Sequence, residues 1–381
     1  MAYKLVFADV SIDGPDRSDF AFNAAIIILW GLGILTLYVA SANYGQRLFD
    51  DPLYFVIRQL LFSLIGFLFF LFFAHIPLER IRTFLPVLVI GSLALCLLVF
   101  VPGFGVERNG ARRWIQIPFL TAVQPSETAK LAVILFLANL LAKRGELPEA
   151  SESITAPVAG LVTMVLVIFL QRDFSTGLFI LLLGIILFFA SGVRIGWFLA
   201  FCFLALPASL FFVFMEPYRV NRLIAFVRPE FDLYGLNYQS NAARMAIGAG
   251  GLFGQGIGAG LTQIRRIPEV QADYIFAGWS ESMGFLGVIS YFVLLVFFAC
   301  RGFVIAFRCP NSFGSLTAFG CTASIFFQSL INCAVVCSAL PSTGIPLPFF
   351  SSGGSSMIIT FCMCGLIVNI SRIQAAKEEL W

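Results

Sequence analysis

The sequence predicts an all-α, polytopic integral membrane protein: ten transmembrane helices and one long extracytoplasmic loop. Three observations predict it. Hydrophobic residues make up 59% of the 381 and charged residues only 12%, where a soluble domain carries about 25% charge. Mean hydropathy is +0.93. The apolar residues also gather into ten runs, most of them near the ~20 residues that crossing a membrane takes.

In chain order the runs lie near Ala21–Ala40, Tyr54–Ala74, Thr83–Val101, Ser126–Ala142, Ala156–Leu170, Thr176–Ala190, Ile195–Met215, Tyr274–Cys300, Ser315–Leu340 and Ser355–Ile370. An even number puts both termini on one side. Lys and Arg in short loops mark the cytoplasmic face. With the termini inside, the inner segments hold eleven: Lys4, Arg17, Arg80, Arg82, Lys143, Arg144, Arg194, Arg301, Arg308, Arg372 and Lys377. The short outer loops hold five: Arg47, Arg108, Arg112, Arg113 and Arg172. Residues 1–20 and 371–381 are therefore expected to be cytoplasmic, and 216–273 to be an outer loop. No repeat of 20–50 residues divides the chain, so 1–381 reads as a single membrane domain.

Several function classes drop out early. One histidine, His75, leaves no material for a histidine metal cluster or a Ser-His-Asp triad. Nine cysteines, mostly inside apolar runs and without a CxxC pattern, read as small packing residues. A net charge of +3 says little in a membrane protein. No cleavable signal peptide is expected, because residues 1–20 are polar and acidic.

The long loop is the unusual part. A polar connector of this length between spans is uncommon unless functional. From Glu216 to Glu281 it carries six arginines (Arg219, Arg222, Arg228, Arg244, Arg265, Arg266) and no lysine. Arginine forks bind phosphate bidentately. Where the loop re-enters an apolar run stands Asp273. It reads as a general base, since a carboxylate near an apolar wall has its pKa raised toward neutral; helix capping is the plainer reading. Glu269, Asp273 and Glu281 would share one face if 269–281 were helical.

Four other stretches carry polar residues at membrane depth. In Gln124-Pro125-Ser126-Glu127, proline and an acidic residue mark a helix start. Lys130 then falls one turn inside a span, on the same face as Glu127. A charge there is a functional hypothesis by default, with an internal ion pair as the alternative. Arg113 and Trp114 precede it; Trp114 also suits an interfacial belt. Asp173, in Gln171-Arg172-Asp173-Phe174, is either a site residue or the cap of the sixth span. The glycines at 248, 250, 251, 254, 256, 258 and 260 either cradle phosphate with backbone amides or form a closely packed loop. Residues 340–356, LPSTGIPLPFFSSGGSS, predict a rigid irregular loop, which survives at this depth only inside protein or lining a cavity.

Taken together these stretches resemble the SEDS family of shape, elongation, division and sporulation proteins, typified by FtsW and RodA. The matching motifs are NGA-x-RWI with QPSE-x-x-K, YR-x-x-R with F-x-x-P-x-x-D and YQ, AIG-x-GG-x-x-G-x-G-x-G, PE-x-x-x-D-x-IFA, and LP-x-TGIPLPF-x-S-x-GGSS. They run in order from about Phe20 to Arg372. Departures fall at Arg172-Asp173-Phe174-Ser175-Thr176, at Ala242-Ala243, at Gln271-Ala272, at Ser282-Met283 and at Ser352-Gly353-Gly354. TGIPLPF and Tyr238-Gln239 lean toward the division branch.

The resemblance implies a peptidoglycan glycosyltransferase that polymerises lipid II at the outer face of the bacterial cytoplasmic membrane, at the division septum. An elongation polymerase and a flippase for lipid-linked precursors are the alternatives. It implies Asp273 as the catalytic carboxylate and Arg113, Glu127, Lys130, Asp173, Arg219, Arg222 and Glu281 as substrate-binding groups. No resident cofactor is expected; a divalent cation (Mg²⁺ or Mn²⁺) on the pyrophosphate is the one addition the chemistry leaves room for. Implied partners are lipid II, a class B penicillin-binding transpeptidase, other divisome proteins and membrane lipid, with no nucleic acid.

Overall fold

The computed structural model describes residues 18–108, 111–116, 122–146, 154–193, 217–228, 237–256, 267 and 270–378, with 196, 203 and 214 as isolated positions. The seventh expected span, 195–215, and Glu269 lie outside that set or touch it only at single positions.

Among the described residues the chain forms eleven helices and one small sheet. The helices are α1 (Phe20–Phe49), α2 (Tyr54–His75), α3 (Leu78–Leu98), α4 (Pro125–Glu146), α5 (Thr155–Leu170), α6 (Phe174–Ala190), α7 (Pro217–Val227), α8 (Tyr238–Gly250), α9 (Ile275–Arg308), α10 (Ser312–Val336) and α11 (Gly354–Glu378). Seven are long and apolar enough to cross a membrane: α1 to α4 and α9 to α11; α5 and α6 are apolar but shorter. Most boundaries fall within a few residues of the apolar runs, because the runs end where Pro, Gly or charge begins.

The expectation of an all-α chain needs one correction. Between α3 and α4 lies a three-stranded antiparallel sheet: β1 (Gly105–Arg108), β2 (Ala111–Gln116) and β3 (Ala122–Val123). Val106 pairs with Trp114, and Ile115 with both Gly105 and Val123. The cause is legible: Asn109-Gly110 is the strongest hairpin dipeptide, and Arg-Trp-Ile-Gln alternates as a strand does.

Packing sorts the helices into an inside and an outside. α4, α10 and α11 are buried along most of their length; α2 and α3 present wide apolar faces outward. α11 packs along α2, and α10 lies against α4, α9 and α11. The connections after α1, before α4, between α5 and α6, before α9 and before α11 meet at one end of the bundle. That end carries the polar motifs.

α9 is two segments. At Gly284 the backbone leaves the helix, with φ 63° and ψ −164°. The glycine tract after α8 docks on this break. Gln255 N donates to Glu281 O at 2.9 Å and Gly256 N to Ser282 O at 3.2 Å, while Phe285 N reaches Gly251 O at 2.9 Å. A Cβ on Gly254 would sit 2.1 Å from the Ser282 carbonyl oxygen, so only glycine permits the approach. Of the two readings of the tract, close packing is the one observed here. The amides of residues 254–256 already donate within the protein, so this part of the tract is no phosphate cradle.

Candidate active site

Three polar clusters form at the loop-bearing end of the bundle. The first is built on Asp173, 1% exposed at the turn between α5 and α6. Arg172 makes that turn in the left-handed region, at φ 61°, a conformation costing a non-glycine residue roughly 1–3 kcal/mol. Asp173 occupies the cap position of α6, but its side chain caps nothing. Its Oδ2 accepts from Gln124 Nε2 at 2.6 Å and Ser126 Oγ at 2.8 Å, and its Oδ1 from Thr176 Oγ1 at 2.9 Å. Arg113 Nη1 from β2 stands 3.6 Å from Oδ1. Asp173 thus holds the cap position by place alone, and its carboxylate ties the start of α4 and the sheet to α6.

The second cluster is the pair inside α4. Lys130 Nζ lies 2.8 Å from Glu127 Oε2, as the three-residue spacing predicts. It also donates to Gln328 Oε1 of α10 at 2.6 Å and sits 5.8 Å from the centre of the Phe179 ring. Both charged groups are at most 3% exposed. An isolated charge at such a site costs several kcal/mol; pairing and the Gln328 amide offset that. Gln328 passes the connection on, its Nε2 donating to Pro346 O at 2.9 Å.

The third cluster holds Asp273. Residues 270–273 form a turn and α9 starts only at Ile275, with Tyr274 at the cap position. The helix expected over 269–281 is thus seen only from Ile275 onward, so Asp273 precedes it, and Glu269 lies outside the described residues. Instead the turn is laced to the 340–353 loop. Asn332 Nδ2 donates to Asp273 O at 3.0 Å and to Ile345 O at 2.8 Å. Ser352 N donates to Gln271 O at 2.8 Å, and Ser351 Oγ donates to Ala272 O. The side chain of Asp273 is half-buried over Gly344: a Cβ there would lie 3.4 Å from Oδ2, and Gly344 has φ +74°.

α7 brings two arginines to the same end. The Arg219 guanidinium lies 4.8 Å from the centre of the Phe174 ring, beside Asp173. Arg222 Nη1 donates to Ser342 O at 2.8 Å, in the loop that carries Gly344. Arg113, Asp173, Arg219, Arg222 and Asp273 thus stand on elements that meet here. Glu281 is fully buried in the first segment of α9, against the glycine tract. Among the described residues no three His, Cys, Asp or Glu side chains converge as metal ligands.

Sequence reading missed Gln328 and Asn332. The available signal was two amides four residues apart, on one face of an apolar helix.

The fold and this end of it define a multi-pass membrane protein with three polar clusters at one mouth of the bundle. The chain belongs to the FtsW, RodA and SpoVE family, described as cell cycle proteins, whose model matches residues 21–376. It is 36% identical over 349 residues to a probable peptidoglycan glycosyltransferase FtsW of Geobacter sp. (strain M18), covering 91% of this chain and 94% of that one. It is 35% identical over 347 residues to the stage V sporulation protein E of Bacillus subtilis (strain 168), covering 91% and 94%. Among solved structures, a chain from a peptidoglycan synthase complex that coordinates polymerization and crosslinking superposes with TM-score 0.75 at 27% identity, over 93% of this chain and 98% of that chain. The rod shape determining protein RodA of Thermus thermophilus superposes with TM-score 0.69 at 26% identity, over 93% and 97%.

Proposed function

We propose that this protein is a peptidoglycan glycosyltransferase that polymerises lipid II at the outer face of the bacterial cytoplasmic membrane, in septal wall synthesis. The observation that carries the reading is the Asp273 turn. It is a half-buried carboxylate over Gly344, held through its backbone by Asn332 and flanked by the arginine-bearing α7.

In the proposed reaction an acceptor 4-hydroxyl attacks the anomeric carbon of the lipid-linked sugar. The hydroxyl proton passes to the Asp273 carboxylate as the new C–O bond forms. The old bond to the pyrophosphate breaks, and the polyprenyl pyrophosphate leaves with the electron pair. Positioned base help of this kind contributes about 10²–10⁴-fold. Arg113, Arg219 and Arg222 meet the departing charge. Asp173 positions Arg113, and the Glu127–Lys130 pair braces the loop through Gln328. A divalent cation would add charge at the same pyrophosphate. The partner is a class B penicillin-binding transpeptidase, acting with other divisome proteins.

The seven long helices, the shorter α5 and α6, and residues 195–215 make up the proposed ten spans. Both termini are then cytoplasmic, and 216–273 is extracytoplasmic. Labelling of Ala150→Cys from outside by an impermeant reagent would overturn this sidedness.

The deciding experiment gives purified protein and its transpeptidase labelled lipid II, and assays polymer and leaflet exchange separately in liposomes. Polymer formation supports the proposal. Leaflet exchange without polymer rejects it in favour of a flippase.

A further inference from the structure

Arg58 sits one turn into α2, a helix apolar enough to cross a membrane. A charged side chain at that depth faces protein or a water-filled cavity. Arg58 lines a cavity of about 350 Å³. Its guanidinium donates to the Tyr54 hydroxyl and lies 5.0 Å from the centre of that ring, which fixes its direction.

The second wall of the cavity is β2. Successive strand residues point to opposite faces. Arg113 turns to Asp173; Trp114 and Gln116 turn the other way and line the cavity. The third wall is the start of α11, where Ser352 bonds the carbonyl of Gln271, two residues before Asp273. Gln59, 2% exposed, ties the floor to this wall by donating to Ser351 O at 2.9 Å.

The two faces of β2 therefore differ in chemistry. On the Arg113 face a carboxylate meets a guanidinium. Among the described residues the cavity face offers aromatic rings, two amides, a hydroxyl and the Arg58 cation, so it suits a ligand that is mostly neutral and rich in hydroxyls. Aromatic rings stack on the C–H faces of sugars, amides bond sugar hydroxyls, and an arginine fork takes a carboxylate. Mostly apolar walls with a few placed polar groups are the usual make-up of a small-molecule site.

We infer that this cavity is a saccharide-binding position for a carboxylate-bearing glycan, seating the second of the two sugar substrates beside Asp273. The inference rests on the glycosyl-transfer reading: joining two sugars needs two seats flanking one base.

The test titrates the full-length protein in lipid nanodiscs with lipid-free disaccharide-peptide oligomers, which carry no pyrophosphate and so cannot turn over. A neutral N-acetylglucosamine tetramer and inorganic pyrophosphate are titrated in parallel. Trp114→Ala and Gln116→Ala should each weaken oligomer binding at least tenfold, and Trp114→Phe should retain it. Arg58→Gln should weaken the carboxylate-bearing oligomer and leave the neutral tetramer unchanged. In polymerisation assays Trp114→Ala should raise KM more than it lowers kcat. Oligomer binding indifferent to all of these variants, or Arg58-dependent binding of pyrophosphate alone, would overturn the inference. If polymerisation proceeds and binding ignores Trp114, this inference fails by itself. If Trp114-dependent binding is seen and lipid II is never polymerised, the glycosyltransferase reading fails and the sugar seat stands.

Discussion

The outer pair α2 and α3 and the inner pair α4 and α11 invert the rule of soluble proteins. In the most apolar stretches of α2 and α3, 28% and 22% of residues are buried, against 78% and 83% in α4 and α11. Yet the outer helices are the more apolar. Lipid is the solvent of the outer pair, so their exposed sides must be apolar. The inner helices meet only protein, which can satisfy polar side chains. Lys130, Glu127, Gln328 and Asn332 are all on inner helices, and the candidate chemistry follows them. Substituting one residue from each environment probes this contrast.

The largest effect is expected at Asp273, where inner helices end and the loop begins. Asp273→Asn keeps the shape and removes the proton acceptor. Polymer formation from labelled lipid II should fall by about 10²–10⁴-fold, with membrane insertion unchanged. Asp273→Glu should be strongly impaired, because its carboxylate shifts by one methylene over Gly344. Since Tyr274, not Asp273, holds the cap position of α9, capping offers no reason for a phenotype. Wild-type polymerisation by Asp273→Asn would remove the catalytic assignment.

Next comes the buried pair. Lys130→Ala leaves Glu127 unpaired at 3% exposure, a change worth about 3–5 kcal/mol. Folded yield in detergent should drop. The double variant Glu127→Ala with Lys130→Ala should recover most of it, because no lone charge remains. Full recovery of polymerisation in the double variant would show that Lys130 braces the bundle and touches no substrate.

These two sites also mark what the sequence could reveal. Glu127 and Lys130 were legible because their interaction is local, three residues along one helix. The apolar runs were legible because lipid imposes a length. The role of Asp173 stayed open for the opposite reason. An aspartate at a helix start reads equally as a cap, and besides the local Thr176 its partners Ser126 and Gln124 lie 47 and 49 residues away. Non-local partners leave no spacing signal. Asn332 left only the faint signal of its spacing from Gln328: one amide barely dents the hydropathy of α10, and its partners, the carbonyls of Asp273 and Ile345, belong to backbone that any residue supplies. The break at Gly284 was hidden because the apolar run continues through it. The strand pairing of 105–108 with 111–116 was foreshadowed by Asn109-Gly110, but the stretch was read as an outer loop for its Arg113 and Trp114 alone.

Asn332 gives the third and smaller effect. Asn332→Ala removes both donors from buried carbonyls, each costing about 1–3 kcal/mol when left unsatisfied. Part of this is recovered where water enters the half-buried turn. Thermal unfolding should shift modestly, and kcat should fall more than KM rises, because the Asp273 turn loses its anchor while the arginines stay in place. A variant with reduced stability and unchanged kcat would make Asn332 a packing residue only.

The smallest effect should come from the lipid face. Leu64 of α2 is 59% exposed and Leu135 of α4 is 0% exposed. Leu135→Ala opens a cavity that neighbours cannot fully close, at about 2–5 kcal/mol. Leu64→Ala opens none, because lipid or detergent tails move into the space. Surface substitutions of this kind stay within about 0.5 kcal/mol. Unfolding measured in the same detergent should therefore separate the two leucines by several degrees or more, and polymerisation by Leu64→Ala should match the wild type. A Leu64→Ala variant as unstable as Leu135→Ala would mean that this face of α2 is covered by protein in the working assembly, and the division into outer and inner helices would have to be redrawn there.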